Sequence, residues 1–232
     1  MDVLRDGLLE ALRLLLGGDA ETWAITLLTL QVSLTATAVA AAVGLPLGAA
    51  IALGEFPGRR LLLSAANTGM GLPPVVVGLF VTVLLWRSGP LGGLGLLYTP
   101  AAMVVAQAAI ATPVVVALVA AALQQVDPEF LVQMQGLGAT RARALLALFA
   151  EARLPLLAAG MAAFGAVVSE VGAAQMVGGN IAGETRVLTT AAVLATSRGE
   201  FALAIAFGLV LLLIAFVVNL VATMAGQRER VR

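Results

Sequence analysis

Residues 23–53 read WAITLLTLQVSLTATAVAAAVGLPLGAAIAL, and no charge occurs between Glu21 and Glu55. A helix needs about 20 apolar residues to cross a hydrocarbon core of roughly 30 Å. The stretch therefore predicts a membrane span, and the same pattern recurs along the chain. A second span is expected at 61–86, entered after Arg59-Arg60 and left at Trp86-Arg87, an interfacial aromatic beside a cation. Further spans are expected at 98–123, at 154–177 (interrupted by Glu170) and at 201–224. The apolar run from Val187 to Ala195 is too short to cross and reads as a short packed helix or a re-entrant segment. The fold class predicted is an all-α integral membrane protein with about five transmembrane helices in a single transmembrane domain over 1–232.

Composition agrees. Of 232 residues, 61% are hydrophobic and 11% charged, with a mean hydropathy of +1.04. A soluble domain carries about a quarter charged residues, so an ordinary soluble enzyme is excluded. Cysteine and histidine are absent, which removes disulfide, thiol and histidine-based chemistry and leaves no metal site to expect. The formal net charge is zero, so no basic footprint for nucleic acid exists. All thirteen basic residues are arginine. Without lysine there is no Gly-x-x-x-x-Gly-Lys loop for ATP, and no catalytic or cofactor-binding residue is expected.

Near the start, Asp2, Asp6 and Glu10 occupy the region that a signal peptide would keep positive. Leu4, Leu8, Leu9, Leu12, Leu15 and Leu16 instead fall at helical spacing opposite Arg5, Asp6 and Arg13. This predicts an amphipathic helix over 1–20, lying in the membrane interface or packed on the protein's own spans. Five spans put the termini on opposite sides. One side collects Arg59, Arg60, Arg141, Arg143, Arg153, Arg228, Arg230 and Arg232; the other collects Arg5, Arg13, Arg87, Arg186 and Arg198. The positive-inside rule then places the N-terminus outside and the C-terminus in the cytoplasm of a multi-pass cell membrane protein.

Three features stand out as functional. Gly69-Met70-Gly71-Leu72-Pro73-Pro74 lies in the middle of the second span, where adjacent prolines remove two backbone donors. Freed carbonyls at membrane depth are tolerated only inside protein or beside a wet cavity, so a broken helix lining a path is expected, with Asn67 and Thr68 beside it. Glu170 is the one acid within a span, an ion site by default or a structural carboxylate paired with an arginine such as Arg186. Finally, 127–153 is the long charged interior stretch. Asp127-Pro128-Glu129 reads as a helix start, Leu137-Gly138-Ala139-Thr140 as a turn, and Arg141 to Ala152 as a second helix. That knob suits insertion into a groove on a partner protein.

Gln133 to Thr140, followed by Leu154-Pro155, resembles the cytoplasmic coupling loop of type I ATP-binding-cassette importer permeases. Gly138 stands at the loop's glycine, and Val132-Gln133-Met134 stands where the family has Glu-Ala-Ala, with Glu129 one turn earlier. A second segment, Ser169 to Ala173 and then Val177 to Arg186, resembles oxyanion importer permeases for molybdate, tungstate and sulfate. Thr189-Thr190, Gly199 to Ala204 and the second-span Gly-Leu-Pro-Pro-Val-Val-Val-Gly are most similar to the tungstate branch. The resemblance implies pairing with a second copy, two ATPase subunits that bind ATP and Mg, and an external oxyanion-binding protein. It also implies that Glu129, Gln133, Leu137, Gly138, Ala139 and Arg141 form the ATPase-coupling loop. A tetrahedral dianion needs a polar-lined path, for which Asn67, Thr68, Pro73, Pro74, Ser169 and Gln175 are the candidates. The rival reading is a self-sufficient secondary carrier or channel with Glu170 as its ion site. It is opposed by the lack of an evident internal repeat.

The orientation is directly testable because the chain has no cysteine of its own. A Gly138→Cys variant should resist an impermeant thiol reagent applied outside intact cells and react once the membrane is opened. Labelling from outside would reverse the orientation.

Overall fold

The computed structural model describes residues 2–228; Arg230 and Arg232, counted above for orientation, lie outside them. The described residues form helices joined by short turns. In chain order these are α1 (Asp2–Leu16), α2 (Ala20–Leu53), α3 (Arg59–Met70) and α4 (Pro74–Leu85). After a 3-10 turn at Gly92–Leu94 come α5 (Pro100–Gln124), α6 (Phe130–Gly136), α7 (Arg141–Glu151) and α8 (Arg153–Val168). The last three are α9 (Gly172–Gly178), α10 (Leu188–Ser197) and α11 (Phe201–Arg228). Three of them, α2, α5 and α11, are long and apolar enough to cross a membrane unaided.

Helix α2 is the spine. Asp19 caps its start, with Oδ2 accepting from the Thr22 backbone N–H at 2.8 Å. Hydrogen bonding from Thr22, by its side chain and then its backbone, holds the Asp19 carboxyl below the usual carboxylate range. At the other end the Arg59 guanidinium donates to the carbonyls of Ile51 (2.6 Å) and Ala52 (3.2 Å). Arg59 thus satisfies carbonyls that the helix end leaves orphaned. The sequence offered this arginine only as a topology signal.

Small residues let α2 and α5 lie against each other. Gly44 faces Val115 and Gly48 faces Val119, so the two helices run parallel, as a first and a third span must. Two apolar clusters flank this pair at different levels. One joins Ala40, Ala111, Val115 and Val119 to Leu148 of α7 and Ala159, Ala163 and Val167 of α8. The other joins Val32, Met103 and Ala106 to Val81 and Leu85 of α4 and Ala173 and Val177 of α9. The first lies toward α6 and α7, the knob end; the second lies toward the far end.

The stretches expected as second and fourth spans each resolve into two helices. Between α3 and α4 the axis turns by 103° at the glycine–proline segment. In the fourth stretch α8 stops at Val168, Glu170 sits in the gap, and α9 follows; α7 meets α8 at 67°. Helix α1 lays Gly7 and Ala11 against α11, the alternative named above, while Leu4, Leu8, Leu12 and Leu16 stay exposed.

The α2–α5 contact yields a stability prediction. A Cβ at Gly48 would lie 2.8 Å from Val119 Cβ and 2.9 Å from the Val116 carbonyl oxygen. Gly48→Leu should therefore destabilise the protein by about 3 kcal/mol or more, since backbone cannot yield as a side chain can. Gly208→Ala on α11, where nothing lies within 4 Å, should be neutral or stabilising by ~0.5–1 kcal/mol. Unfolding in detergent checks both.

Candidate functional site

The knob is a helix–turn–helix. Its first helix starts two residues later than the sequence predicts. Asp127 Oδ1 accepts from the Glu129 backbone N–H at 2.8 Å, forming a turn, and α6 then begins at Phe130. The turn that ends α6 is closed by bonds from Leu137 N to Gln133 O (3.0 Å) and from Ala139 N to Met134 O (3.0 Å). Between them Gly138 adopts a left-handed φ of +88°, with open space around it. Its glycine is required by backbone angle and not by close approach. Thr140 then caps α7, its Oγ1 accepting from Arg143 N at 3.4 Å.

Exposed apolar side chains crown this turn: Leu137 is 84% exposed, Val132 70% and Leu146 71%. Leu137 is among the residues the sequence singles out and Val132 stands at a motif position, whereas Leu146 is not marked. The signal for Leu146 is an aliphatic side chain inside the most charged stretch of the chain. Behind the crown, a cleft of about 610 Å³ separates the end of α2 from the knob, lined by Leu53, Leu131, Gln135, Ala139, Arg141 and Leu145.

The break of the second stretch exposes Asn67, Thr68 and Pro73 and leaves Pro74 half-buried. Pro73 and Pro74 start α4, where a missing N–H costs nothing. A cavity of about 250 Å³ opens beside the break, between Gly69–Pro74, Val77, Ile110, Val114 and Ala166. Val75 lies against Gly172 and Gly78 against Ala173, so α4 packs on α9 and the two breaks are neighbours. Ser169 and Gln175, both exposed, flank the second break. The Ser169 hydroxyl donates to Gly165 O at 2.8 Å, closing the end of α8. Gly78 and Gly172 fall in the segments that carry the family resemblance, but their contact role is not legible there, because a contact glycine looks like any other glycine in a span.

The expected pairing of Glu170 with Arg186 is not formed. Glu170 is buried, and its Oε1 accepts from the Ala173 backbone N–H at 2.7 Å, capping α9. The Thr189 hydroxyl donates to the Glu170 carbonyl at 2.9 Å and ties the break to α10. Arg186 is drawn elsewhere by the turn that carries it. Thr185 Oγ1 donates to Gly178 O at 2.6 Å and accepts from Ile181 N at 3.0 Å, folding residues 178–185 back on α9. Arg186 then reaches Glu21 at the start of α2, 3.1 Å away, and Asn180 Oδ1 at 3.3 Å. It anchors the far end of the bundle. Among the described residues no group of acidic side chains is placed to hold a metal ion.

Residues 44–231 match the family described as binding-protein-dependent transport system inner membrane component. The tungstate uptake system permease protein TupB of Peptoclostridium acidaminophilum is 39% identical over 95% of this chain and 97% of its own. A probable anion ABC transporter permease protein of Haloferax volcanii is 40% identical over 84% of this chain and 86% of its own. The molybdenum transport system permease protein ModB of Escherichia coli is 31% identical over 73% of this chain and 77% of its own. Among solved structures, inward facing conformations of the MetNI methionine ABC transporter give a TM-score of 0.67. That match has 20% identity and covers 91% of this chain and 96% of that one. The helical fold and the sequence agree, and the chain belongs to the family of binding-protein-dependent transport system inner membrane components, which are permease subunits and not themselves enzymes.

Proposed function

We propose that the chain is the transmembrane subunit of an ATP-driven oxyanion importer, with tungstate as the cargo and molybdate as the nearest competitor. The similarity to tungstate permeases over almost the whole chain carries this reading. In it the subunit pairs with a second copy, two cytoplasmic ATPase subunits that bind ATP and Mg, and an external binding protein. The knob faces the cytoplasm, and the N-terminus lies outside.

The knob is the transmission element. Leu137 and Val132 offer apolar surface to a partner groove, while Glu129, Gln133, Ala139 and Arg141 surround it. The 67° bend lets α7 project from the end of α8, so a push on the knob is delivered to a span. ATP-driven closure of the partners then rocks the two permease copies between outward-open and inward-open states. The polar groups at the two breaks, Asn67, Thr68, Ser169 and Gln175, line the path with Pro73 and Pro74. Being neutral, they hold a dianion weakly enough to release it. The rival, a self-sufficient carrier with Glu170 as ion site, is disfavoured because Glu170 is engaged as the cap of α9.

Gly138→Leu forces a side chain into the left-handed region at a cost of about 1–2 kcal/mol. It should leave insertion intact but uncouple ATP hydrolysis from uptake in the purified complex. Normal coupled transport by this variant would remove the loop from the mechanism.

The cargo is tested by uptake of tungstate, molybdate and sulfate at matched concentrations into vesicles holding the complete complex. Tungstate uptake that needs both ATP and the binding protein is expected. Glu170→Gln, which keeps a carbonyl acceptor for Ala173 N, should retain most of it. Sulfate uptake without either of the others defeats the cargo assignment, and gradient-driven flux through the chain alone, abolished by Glu170→Gln, establishes the rival.

A further inference from the structure

At the end of the bundle away from the knob, the starts of α2 and α11 meet the ends of α1 and α10. Gly226, near the end of α11, lies against Leu154 and Leu157 at the start of α8, which puts the start of α11 at the far end. Between these four helices opens a pocket of about 270 Å³. Its floor is apolar, with Ile25, Leu203 and Phe207 below and Leu14 of α1 as one wall. Its rim is ionic, formed by Asp19, Glu21, Arg186, Arg198 and Glu200. The turn that ends α10 sets the last two in place: Glu200 N donates to Ala195 O at 2.9 Å around Gly199, whose φ is +76°. Trp23, exposed two residues after Glu21, marks this level as the boundary between headgroups and acyl chains.

The charges decide what fits. Arg186 is already committed to Glu21 and Asn180. The Arg198 guanidinium and the Glu200 carboxylate make no hydrogen bond or ion pair among the described residues. With Asp19, they leave one cation and two carboxylates to a ligand. That balance repels a bare oxyanion, and no acidic group among the described residues is placed to hold a metal ion. It suits a molecule that carries both charges. A primary ammonium offers three N–H donors to the carboxylates, whereas a quaternary one needs an aromatic cage, and Phe207 is the one aromatic residue of the lining. The pocket is small beside the roughly 300–1,000 Å³ that encloses a whole ligand, so it takes a headgroup and leaves apolar chains outside. Helix α1 provides for those chains. Gly7 and Ala11 are buried on α11, Leu4, Leu8, Leu12 and Leu16 form an exposed row, and Glu10 pairs with Arg13 at 3.7 Å on another face. A helix divided in this way lies in the interface with its leucines among acyl chains.

We propose that this pocket seats the headgroup of a phospholipid bearing a primary ammonium, of the phosphatidylethanolamine kind, in the leaflet opposite the knob. The phosphate lies on Arg198, whose guanidinium matches its oxygens, and the ammonium lies on Asp19 and Glu200. The acyl chains leave along α11 beside the leucine row of α1. The lipid thereby joins α1, which packs chiefly on α11, to the starts of α2 and α11 as well. This inference rests on the chain spanning a membrane and is independent of the cargo.

The test is native mass spectrometry of the full chain, with its associated subunits, released from nanodiscs of dioleoyl phosphatidylethanolamine, phosphatidylcholine and phosphatidylglycerol in equal parts. One phosphatidylethanolamine per permease chain should survive activation that strips the other two lipids. Arg198→Ala should lower that retention about tenfold, the order expected for a lost hydrogen bond to a charged group, and Arg198→Lys should restore part of it. Asp19→Asn keeps a capping side chain on α2. Like Glu200→Gln, it should lower the preference for phosphatidylethanolamine over phosphatidylcholine by a similar factor. Arg87→Ala, which alters a different pocket at the same end, is the control and should change nothing. Preferred retention of phosphatidylglycerol overturns the ammonium assignment and the proposal with it. Equal retention by the unsubstituted chain and the Arg198 and Glu200 variants overturns the site. Displacement of the lipid by tungstate assigns the pocket to the cargo, and weaker binding-protein affinity in Arg198→Ala with lipid retention unchanged assigns it to protein docking; either overturns the lipid seat. ATP-driven tungstate uptake by the same preparations tests the importer reading separately.

Discussion

Backbone amides in hydrocarbon have no water to turn to, and the architecture follows from how this chain meets that constraint. An unbroken helix satisfies its own N–H and C=O groups, so α2 and α11 can face lipid along much of their length while α5 runs through the interior. A broken helix cannot, and each break here is closed by a specific device. At the second, the Glu170 carboxylate takes the Ala173 N–H and the Ser169 hydroxyl takes a carbonyl of α8. At the first, two prolines present no N–H to satisfy, and Gly71 N and Leu72 N turn back on Thr68 O and Gly69 O. Irregular backbone at depth is thus stabilised locally, and a cavity lies beside the first break.

The same economy explains why small residues crowd the interior contacts. Apolar side chains gain little from leaving lipid for protein, so helix association in a membrane relies on close packing. Gly44 and Gly48 bring α2 onto α5, and Gly78 and Gly172 bring α4 onto α9. Threonines add hydrogen bonds where backbones come near. Thr29 Oγ1 accepts from Leu188 N at 2.9 Å and fixes the start of α10 on the spine. Large apolar side chains such as Leu79, Phe80, Leu212 and Phe216 are left on the outside, the reverse of a water-soluble protein.

Much of this was legible in the sequence, for physical reasons. Apolar runs of 20 or more residues report their length to within a few residues, and Pro73-Pro74 breaks a helix in any surroundings. The Gly138 turn was legible because helix caps and left-handed glycines depend on neighbours in sequence. What escaped depends on distant partners. Glu170 and Arg186 were expected to meet because each needs a partner, but a cap three residues away serves the first and Glu21 serves the second. The contact glycines and the role of Arg59 at the end of α2 are both tertiary facts. Nothing in the one-dimensional spacing marks them.

On the importer reading, a path lined by neutral groups has a consequence for where selectivity resides. Arg59, Arg60 and Arg153 stand at helix starts, and Arg186 is committed to Glu21 and Asn180, so the arginines around the breaks are at the ends of the bundle. Hydroxyl and amide groups can hydrate a tetrahedral oxyanion but carry no charge to bind it tightly. Tight binding within the path would slow release, because each added 1.4 kcal/mol of affinity costs about a factor of ten in the off-rate when the on-rate is fixed. Tungstate and molybdate share charge and shape, and a weak polar lining separates them by far less than that. On the importer reading, discrimination therefore falls to the binding protein, and this subunit is built for passage.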